Sequence, residues 1–460
     1  MESTHYKGKV LALLFTGVLM GALDISIVGP ALPAIEQTLH VEHRLLSWVF
    51  SIYVLFNLVG VSLLAKLSDQ YGRRNIYIFS VSVFALGSAI VAFATNIELL
   101  LIGRAIQGFG ASGIFPVASA VIGDIFPPEK RGRTLGMIGA VFGIAFIIGP
   151  IIAGVLLKFF SWNSLFLVNL PIAAVVIFFS MRLLPSKKAI AKPHFDIPGM
   201  LLMAVMLSSF AYGLNNIEAS EGINSLLNKK VLPFLLLAAI SLAAFIAFEK
   251  KSPSPIVKIP LFNQKQIRIV GIVAFMAGII QAVTIFVPQM AVDLYGVTTS
   301  KASFMLIPFV LAIAVGAPLS GRIVDNAGSR VVIISGLILS TIGLLIISIN
   351  PSSLTNFYIS GIMLGIGTSM LQGSAIRYIM LNEVIPAERA LGQGIITLFT
   401  STGQMTGATI LGLIIASFQN HIIGYSSGFL FVCILGMLVA IVSTQLKSRK
   451  VELSTNPSQS

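Results

Sequence analysis

The chain has 460 residues, of which 56% are hydrophobic and only 10% charged, and its net charge is +13. Apolar runs of about 20 residues, the length that crosses a hydrocarbon core, recur along it and exclude an ordinary soluble domain. A single cysteine, Cys433, excludes an intrachain disulfide and a cysteine metal cluster, and no Walker-type phosphate loop appears that would mark an ATP-driven pump.

In chain order, the apolar runs predict an all-α polytopic membrane protein with fourteen spans. They lie near 10–34, 45–66, 75–95, 98–121, 133–157, 163–184, 197–215, 231–248, 269–290, 302–321, 331–349, 355–380, 390–418 and 425–446. An even number places both termini on one side. With that side cytoplasmic, the inner connections hold Arg73, Arg74, Lys187, Lys188, Lys250, Lys251 and most other basic residues. The outer ones keep only Arg44, Lys158, Lys229, Lys230 and Lys301, which fits the positive-inside rule. Because the basic residues lie in short connections, the expected partner is the bilayer of the plasma membrane and not nucleic acid. The longest polar connections, 185–195 and 249–268, bracket two spans without a counterpart in a repeat. The expected domains are an N-terminal six-helix bundle over 1–186, a linker with two inserted spans over 187–266, and a C-terminal six-helix bundle over 267–447. A disordered cytoplasmic tail over 448–460 follows, and a monomer is expected.

Asp24 lies inside the first apolar run, between Leu23 and Ile25. A carboxylate at that depth must face a cavity or carry a proton, and burial would raise its affinity for one. A structural hydrogen-bond acceptor is the plainer alternative. Arg104, in the fourth span, is the other deep charge. It keeps its proton, so it would tune a carboxylate, hold an anionic group, or simply pack against backbone carbonyls. The two are candidate partners.

A polar island, Ala65 to Arg74, separates the second and third spans as a short turn, and a thinner copy runs from Gly321 to Arg330. Asp69 matches Asp325, Gly72 matches Gly328 and Arg74 matches Arg330, which suggests an internal repeat. Asp69 can reach a helix N-terminus, where the dipole favours negative charge. Arg73 and Arg74 can pair with carboxylates, Asp124 and Glu129 being candidates, to form a breakable latch; a purely topological anchor is the plainer reading. In the fifth span, Gly136, Gly149, Pro150 and Gly154 would permit close helix approach and a bend. Tyr53, Asn57, Gln107, Gln281, Gln372, Arg377 and Gln404 put polar groups on apolar helices and are candidates to line a cavity.

These residues together resemble the major facilitator superfamily and, within it, the fourteen-span drug:proton antiporter family. Ala65 to Arg74 looks like the superfamily's loop motif, with Ala65 where Gly is usual and a looser helix contact expected. Arg104, Gln107, Gly108 and Gly110 look like the fourth-span pattern. Gly136, Gly149, Pro150 and Gly154 look like the fifth-span antiporter pattern, with Ala145 and Ala153 in place of Gly. Leu23 to Val28 with Ala31-Leu32-Pro33, then Trp48, Tyr53 and Leu55, and Trp162, Phe166, Asn169 and Pro171, resemble the first, second and sixth spans. The resemblance implies the major facilitator fold and a proton-coupled exporter of hydrophobic or amphipathic, often cationic, compounds. It also implies a role for Arg104 in proton coupling, and no cofactor beyond the proton gradient. A native lipid, lipid-linked sugar or metabolite is the alternative cargo, and a transport-inactive sensor or scaffold the third reading. An enzyme is not expected, for no nucleophile–base constellation appears in the loops.

Overall fold

In hydrocarbon each backbone N–H and C=O must find its partner within its own segment, so apolar runs of this length fold as helices. The computed structural model describes residues 2–40, 43–185, 196–217, 224–252, 255 and 257–454, and no strand occurs among them. The helices are α1 (Glu2–Leu39), α2 (His43–Tyr71), α3 (Arg73–Ala92), α4 (Ile97–Ile125), α5 (Pro128–Phe159), α6 (Asn163–Leu167), α7 (Asn169–Leu183), α8 (Ile197–Asn215) and α9 (Leu232–Glu249). They continue as α10 (Lys265–Tyr295), α11 (Thr299–Met305), α12 (Ile307–Ala327), α13 (Ser329–Ile349), α14 (Leu354–Met370), α15 (Ile376–Glu383), α16 (Arg389–Ala416), α17 (His421–Ser443) and α18 (Arg449–Ser454). Among the described residues, thirteen helical stretches are long and apolar enough to cross a membrane, and Pro198–Leu214 is a shorter apolar helix.

Two spans that read as continuous in the sequence are broken. The chain interrupts the helix at Val168, before Pro171, and at Leu306, before Pro308. A proline removes the bond to the carbonyl four residues earlier, which loosens the turn ahead of it. Pro150 does not break α5, which runs uninterrupted through it. A π-helical turn, Leu371–Ala375, joins α14 to α15 in the second half of the twelfth predicted span.

The polar islands are not loops. Helix α2 runs to Tyr71 and α3 starts at Arg73, so the whole turn is Gly72, with φ 95°. Its copy, Gly328, has φ 92° between α12 and α13. That region of backbone space is costly for any residue with a Cβ, and the repeated glycine follows from it. Elsewhere, side chains start the helices: Asn96 accepts from the Leu99 N–H at 2.8 Å and Asn420 from the Ile422 N–H at 2.9 Å.

The described helices group into two units. The first holds residues 1–127, 141–196 and 385–394; the second holds 128–140, 197–384 and 395–460. Each unit therefore includes a short piece that the sequence reading assigns to the other bundle. In the first unit a core of Ile27, Val28, Ala31, Ile35, Val49, Val91, Leu100, Trp162, Leu165 and Phe166 ties α1 to α4 and α6 together. In the second, α8 and α9 pack as a hairpin, with Gly213 against Leu235 and the Tyr212 and Phe234 rings 4.3 Å apart.

The tail departs from the expected disorder. Residues 449–454 form α18, and Glu452 within it is buried. The polar sequence finds polar partners there, described below. The remaining tail, 455–460, lies outside the described residues.

Candidate functional site

Helix α4 carries Arg104 and Gln107 three residues apart, hence on one face. Its glycines let the neighbours close in: Gly108 lies against the Tyr53 backbone of α2, and Gly87 of α3 lies against the Gln107 backbone. A Cβ at either glycine would overlap the facing chain, so the close approach depends on them. Asp24 enters this junction from α1, Ser88 from α3 and Asn169 from α7.

The result is a polar knot in the first unit. Asp24 and Arg104 side chains are both 0% exposed and meet at 2.7 Å, Arg104 Nη1 donating to Asp24 Oδ2. Asp24 Oδ1 accepts from Gln107 Nε2 at 2.6 Å and from Asn169 Nδ2 at 3.0 Å. Both amides also donate to Ser88 Oγ, at 2.7 and 3.2 Å. Arg104 gives a second bond to Gln107 Oε1 at 2.6 Å and a third, from Nε, to the Val49 carbonyl at 3.0 Å. The guanidinium carbon lies 4.3 Å from the Tyr53 ring centre and 5.9 Å from that of Phe166. Arg104 Nη2 is buried without a hydrogen-bond partner among the described residues.

Charges in such a place must be paired, and here the pair is neutral overall. A proton on Asp24 would leave the Arg104 charge uncompensated. Ser88 is a member that sequence reasoning missed, for a serine in an apolar helix carries no distinguishing signal. Asn169, noted in the sequence only as part of a motif, is a direct Asp24 partner.

The polar islands build two helix caps. In the first unit, Asp69 accepts the Ala390 N–H at 3.2 Å and the Leu391 N–H at 2.8 Å, in the first turn of α16. Arg73 donates to Asp69, to Asp124 Oδ2 at 3.1 Å and to the Pro386 carbonyl at 3.2 Å. Arg389 then donates to Asp124 Oδ1 at 2.9 Å. In the second unit, Asp325 accepts the Gly132 and Arg133 N–H groups, both at 2.8 Å, at the start of α5. Arg131 donates to Asn382 Oδ1 at 2.7 Å. Asp69, Arg389 and Asp124 thus recur as Asp325, Arg131 and Asn382. Asp69 satisfies two orphan donors of α16, Asp325 accepts two N–H groups in the second turn of α5, and each Asp lies toward the positive end of a helix dipole.

Several expectations need correction. Arg74 makes no ion pair among the described residues, and its Nε is buried without a partner. Arg330 and Glu129 likewise make none, and Glu129 is exposed. The sequence offers two adjacent arginines, but only Arg73 lies on the helix face that meets Asp124. The contact at Ala65 is close instead of loose, because Gly394 faces it and a Cβ there would lie 2.9 Å from that of Ala65. In α5, Gly136 lies against the Ala317 backbone and Gly149 against Ser26, whereas a Cβ at Gly154 would meet nothing within 4 Å and Pro150 is exposed. Among the described residues Gly154 therefore mediates no helix contact.

The proposed cavity residues fall into two sets. In the first unit, Gln107 is wholly enclosed in the knot, Tyr53 is buried against Arg104, and Asn57 braces α2 to the Gly108 carbonyl at 3.3 Å. In the second unit, Gln372 Nε2, in the π turn, donates to Gln281 Oε1 and to the Ala277 carbonyl, both at 3.1 Å. Arg377 is buried and donates to Thr397 Oγ1 at 3.3 Å, and Gln404 is half-buried.

The chain matches the Major Facilitator Superfamily over residues 14–269 and 269–459. It is 32% identical to the uncharacterized MFS-type transporter YfiU of Bacillus subtilis, over 91% of this chain and 82% of that one. It is 30% identical to Multidrug resistance protein 3 of Bacillus subtilis, over 89% of this chain and 79% of that one. Among solved structures, the human organic anion transporter MFSD10 superposes with a TM-score of 0.71 at 15% identity, covering 95% of this chain and 99% of that one.

Proposed function

The chain belongs to the major facilitator superfamily, a family of multi-pass membrane transporters and not of enzymes, and from that premise we propose that it exports hydrophobic or amphipathic drugs in exchange for protons. The observation that carries the reading is the buried Asp24–Arg104 pair. A transporter coupled to protons needs a titratable group whose protonation changes the cost of a conformational state. Asp24, tied to Arg104, Gln107 and Asn169, is placed to be one. Proton entry neutralises Asp24, releases Arg104 and loosens α1, α4 and α7 from one another. Loss of the proton rebuilds the knot. Each inward proton contributes about 2.3 kcal/mol per 100 mV of membrane potential, plus the pH term. The multidrug relative at 30% identity supports the cargo class.

On this reading the chain is a fourteen-span protein of the drug:proton antiporter type, with both termini cytoplasmic and α8 and α9 as the inserted pair. The capped starts of α5 and α16 are latches at the cytoplasmic ends, broken and remade in each cycle of alternating access. They combine N–H groups, carboxylates and arginines whose side chains are largely buried, so opening a latch requires new partners for these groups in the other state. One observation favours a second cargo class. Asp24 is already neutralised by Arg104, so a neutral or anionic lipid or metabolite would meet no free carboxylate to repel it.

The test is transport in proteoliposomes with an imposed pH gradient, using a panel of cationic drugs and native lipids. Wild type accumulates its cargo against the gradient. Asp24→Asn loses gradient-driven accumulation yet retains cargo exchange across a symmetric membrane. Gradient-driven transport by Asp24→Asn at the wild-type rate contradicts the proposal.

A further inference from the structure

The two helix caps share their aspartate, turn glycine and capped-helix arginine, but Asp124 recurs as Asn382 and one further position differs. Arg73, which joins Asp69 to Asp124 in the first unit, has Ser329 as its counterpart in the second. A serine side chain cannot span from Asp325 to the end of α15, and the second cap would lack its bracing cation. Helix α18 occupies that place. Arg449 Nη2 donates to the Asp325 carbonyl at 2.8 Å and Nη1 donates to the Tyr378 hydroxyl of α15. Its Cβ and Cα lie against Gly328, where an added Cβ would come within 2.9 Å. Glu452 accepts from the Ser329 hydroxyl and, at 3.4 Å, from the Ser329 N–H, so it caps α13. Burial pushes the Glu452 carboxyl above its ordinary range, against the opposing pull of Ser329 and Arg449. Just before α18, Lys447 Nζ meets Glu383 Oε1 at 2.5 Å and its N–H donates to Gln266 Oε1 at 3.0 Å. The segment 447–452 is thereby tied to α10, α12, α13 and α15, all within the second unit.

We propose that α18 is the missing arm of the second latch, with Arg449 and Glu452 as positioning residues that hold Asp325 against the start of α5. This rests on the reading of the caps as latches. It assigns the C-terminal segment a part in the transport cycle: α18 must loosen when the start of α5 leaves Asp325, and its docking biases the equilibrium toward the capped state. Anything that withdraws the segment would weaken one latch and leave the other intact.

Amide hydrogen exchange on the purified chain tests this without reference to cargo. Four forms are compared with wild type: truncation after Ser448, Arg449→Ala, Glu452→Ala, and truncation combined with Ser329→Arg. The expected result is at least tenfold faster exchange at Gly132 and Arg133 in the first three, with Ala390 and Leu391 unchanged. Restored protection at Gly132 and Arg133 is expected in the fourth, where an arginine stands as Arg73 does. Unchanged exchange at Gly132 and Arg133, equal acceleration at both caps, or failure of Ser329→Arg to restore protection would each overturn the proposal. Transport is measured on the same four forms. A chain whose caps respond as expected while no proton-driven transport is found refutes the transport reading and leaves the role of α18 standing.

Discussion

Replacing Asp24 by Asn is expected to destabilise the first unit strongly, and the cost follows from the knot. The asparagine keeps the size of the side chain but removes the charge that Arg104 needs. Its amide must also turn an NH2 group toward either Arg104 Nη1 or the Gln107 and Asn169 amides, all donors at 2.6–3.0 Å. At least one contact therefore becomes donor against donor. Breaking a buried pair from one side typically costs about 3–5 kcal/mol. Removing both charges, as in Asp24→Asn with Arg104→Gln, leaves no buried charge, so the double variant recovers about 2–3 kcal/mol relative to the sum of the single variants. Reversible unfolding of the purified chain in mixed micelles measures all four corners of the cycle. Effects that add within about 0.5 kcal/mol would show that the two residues are energetically independent and would refute the reasoning.

Three further outcomes are expected. Asp69→Ala strips the acceptor from Ala390 and Leu391; a cap of about 1 kcal/mol with a dipole term of similar size accelerates exchange at those amides by roughly 30-fold, and equal rates in the two forms would contradict it. Arg73→Ala opens the same cap, whereas Arg74→Ala leaves exchange at Ala390 and Leu391 unchanged, since Arg74 makes no ion pair among the described residues. Gly149→Leu, against Ser26, lowers the yield of folded protein, while Gly154→Leu, in open space, does not, as size-exclusion profiles of the solubilised variants would report.

How much of this was legible beforehand differs from one feature to another. Helix positions followed from hydropathy because lipid leaves the backbone no other arrangement. Asp24 and Arg104 stood out in the sequence because a charge in a long apolar run must be paired or face a cavity, in a structural role or a functional one. Their contact was not, since it depends on how α1 and α4 rotate to face each other, which no local pattern records. Ser88 and Asn169 joined the knot for the same reason. The islands were read as turns because they are polar, but polarity alone does not end a helix, and only Gly72 and Gly328 leave helical geometry. Asp69 was legible as a helix cap, but its partner in α16 is more than 300 residues away, and no sequence spacing could identify it. Gly154 misled because small residues serve lipid-facing and helix-facing surfaces alike. The tail misled because a short polar segment reads as solvated unless its buried partners, here Ser329 and Tyr378, are known.

The central claim is that the carboxyl of Asp24 carries the coupled proton. The most direct measurement is the number of protons exchanged when cargo binds to the purified chain in weakly buffered detergent solution, followed by a pH-sensitive dye. The account predicts proton exchange linked to cargo binding by wild type and none by Asp24→Asn, with binding still detectable in both. Equal proton release by the two forms would contradict it.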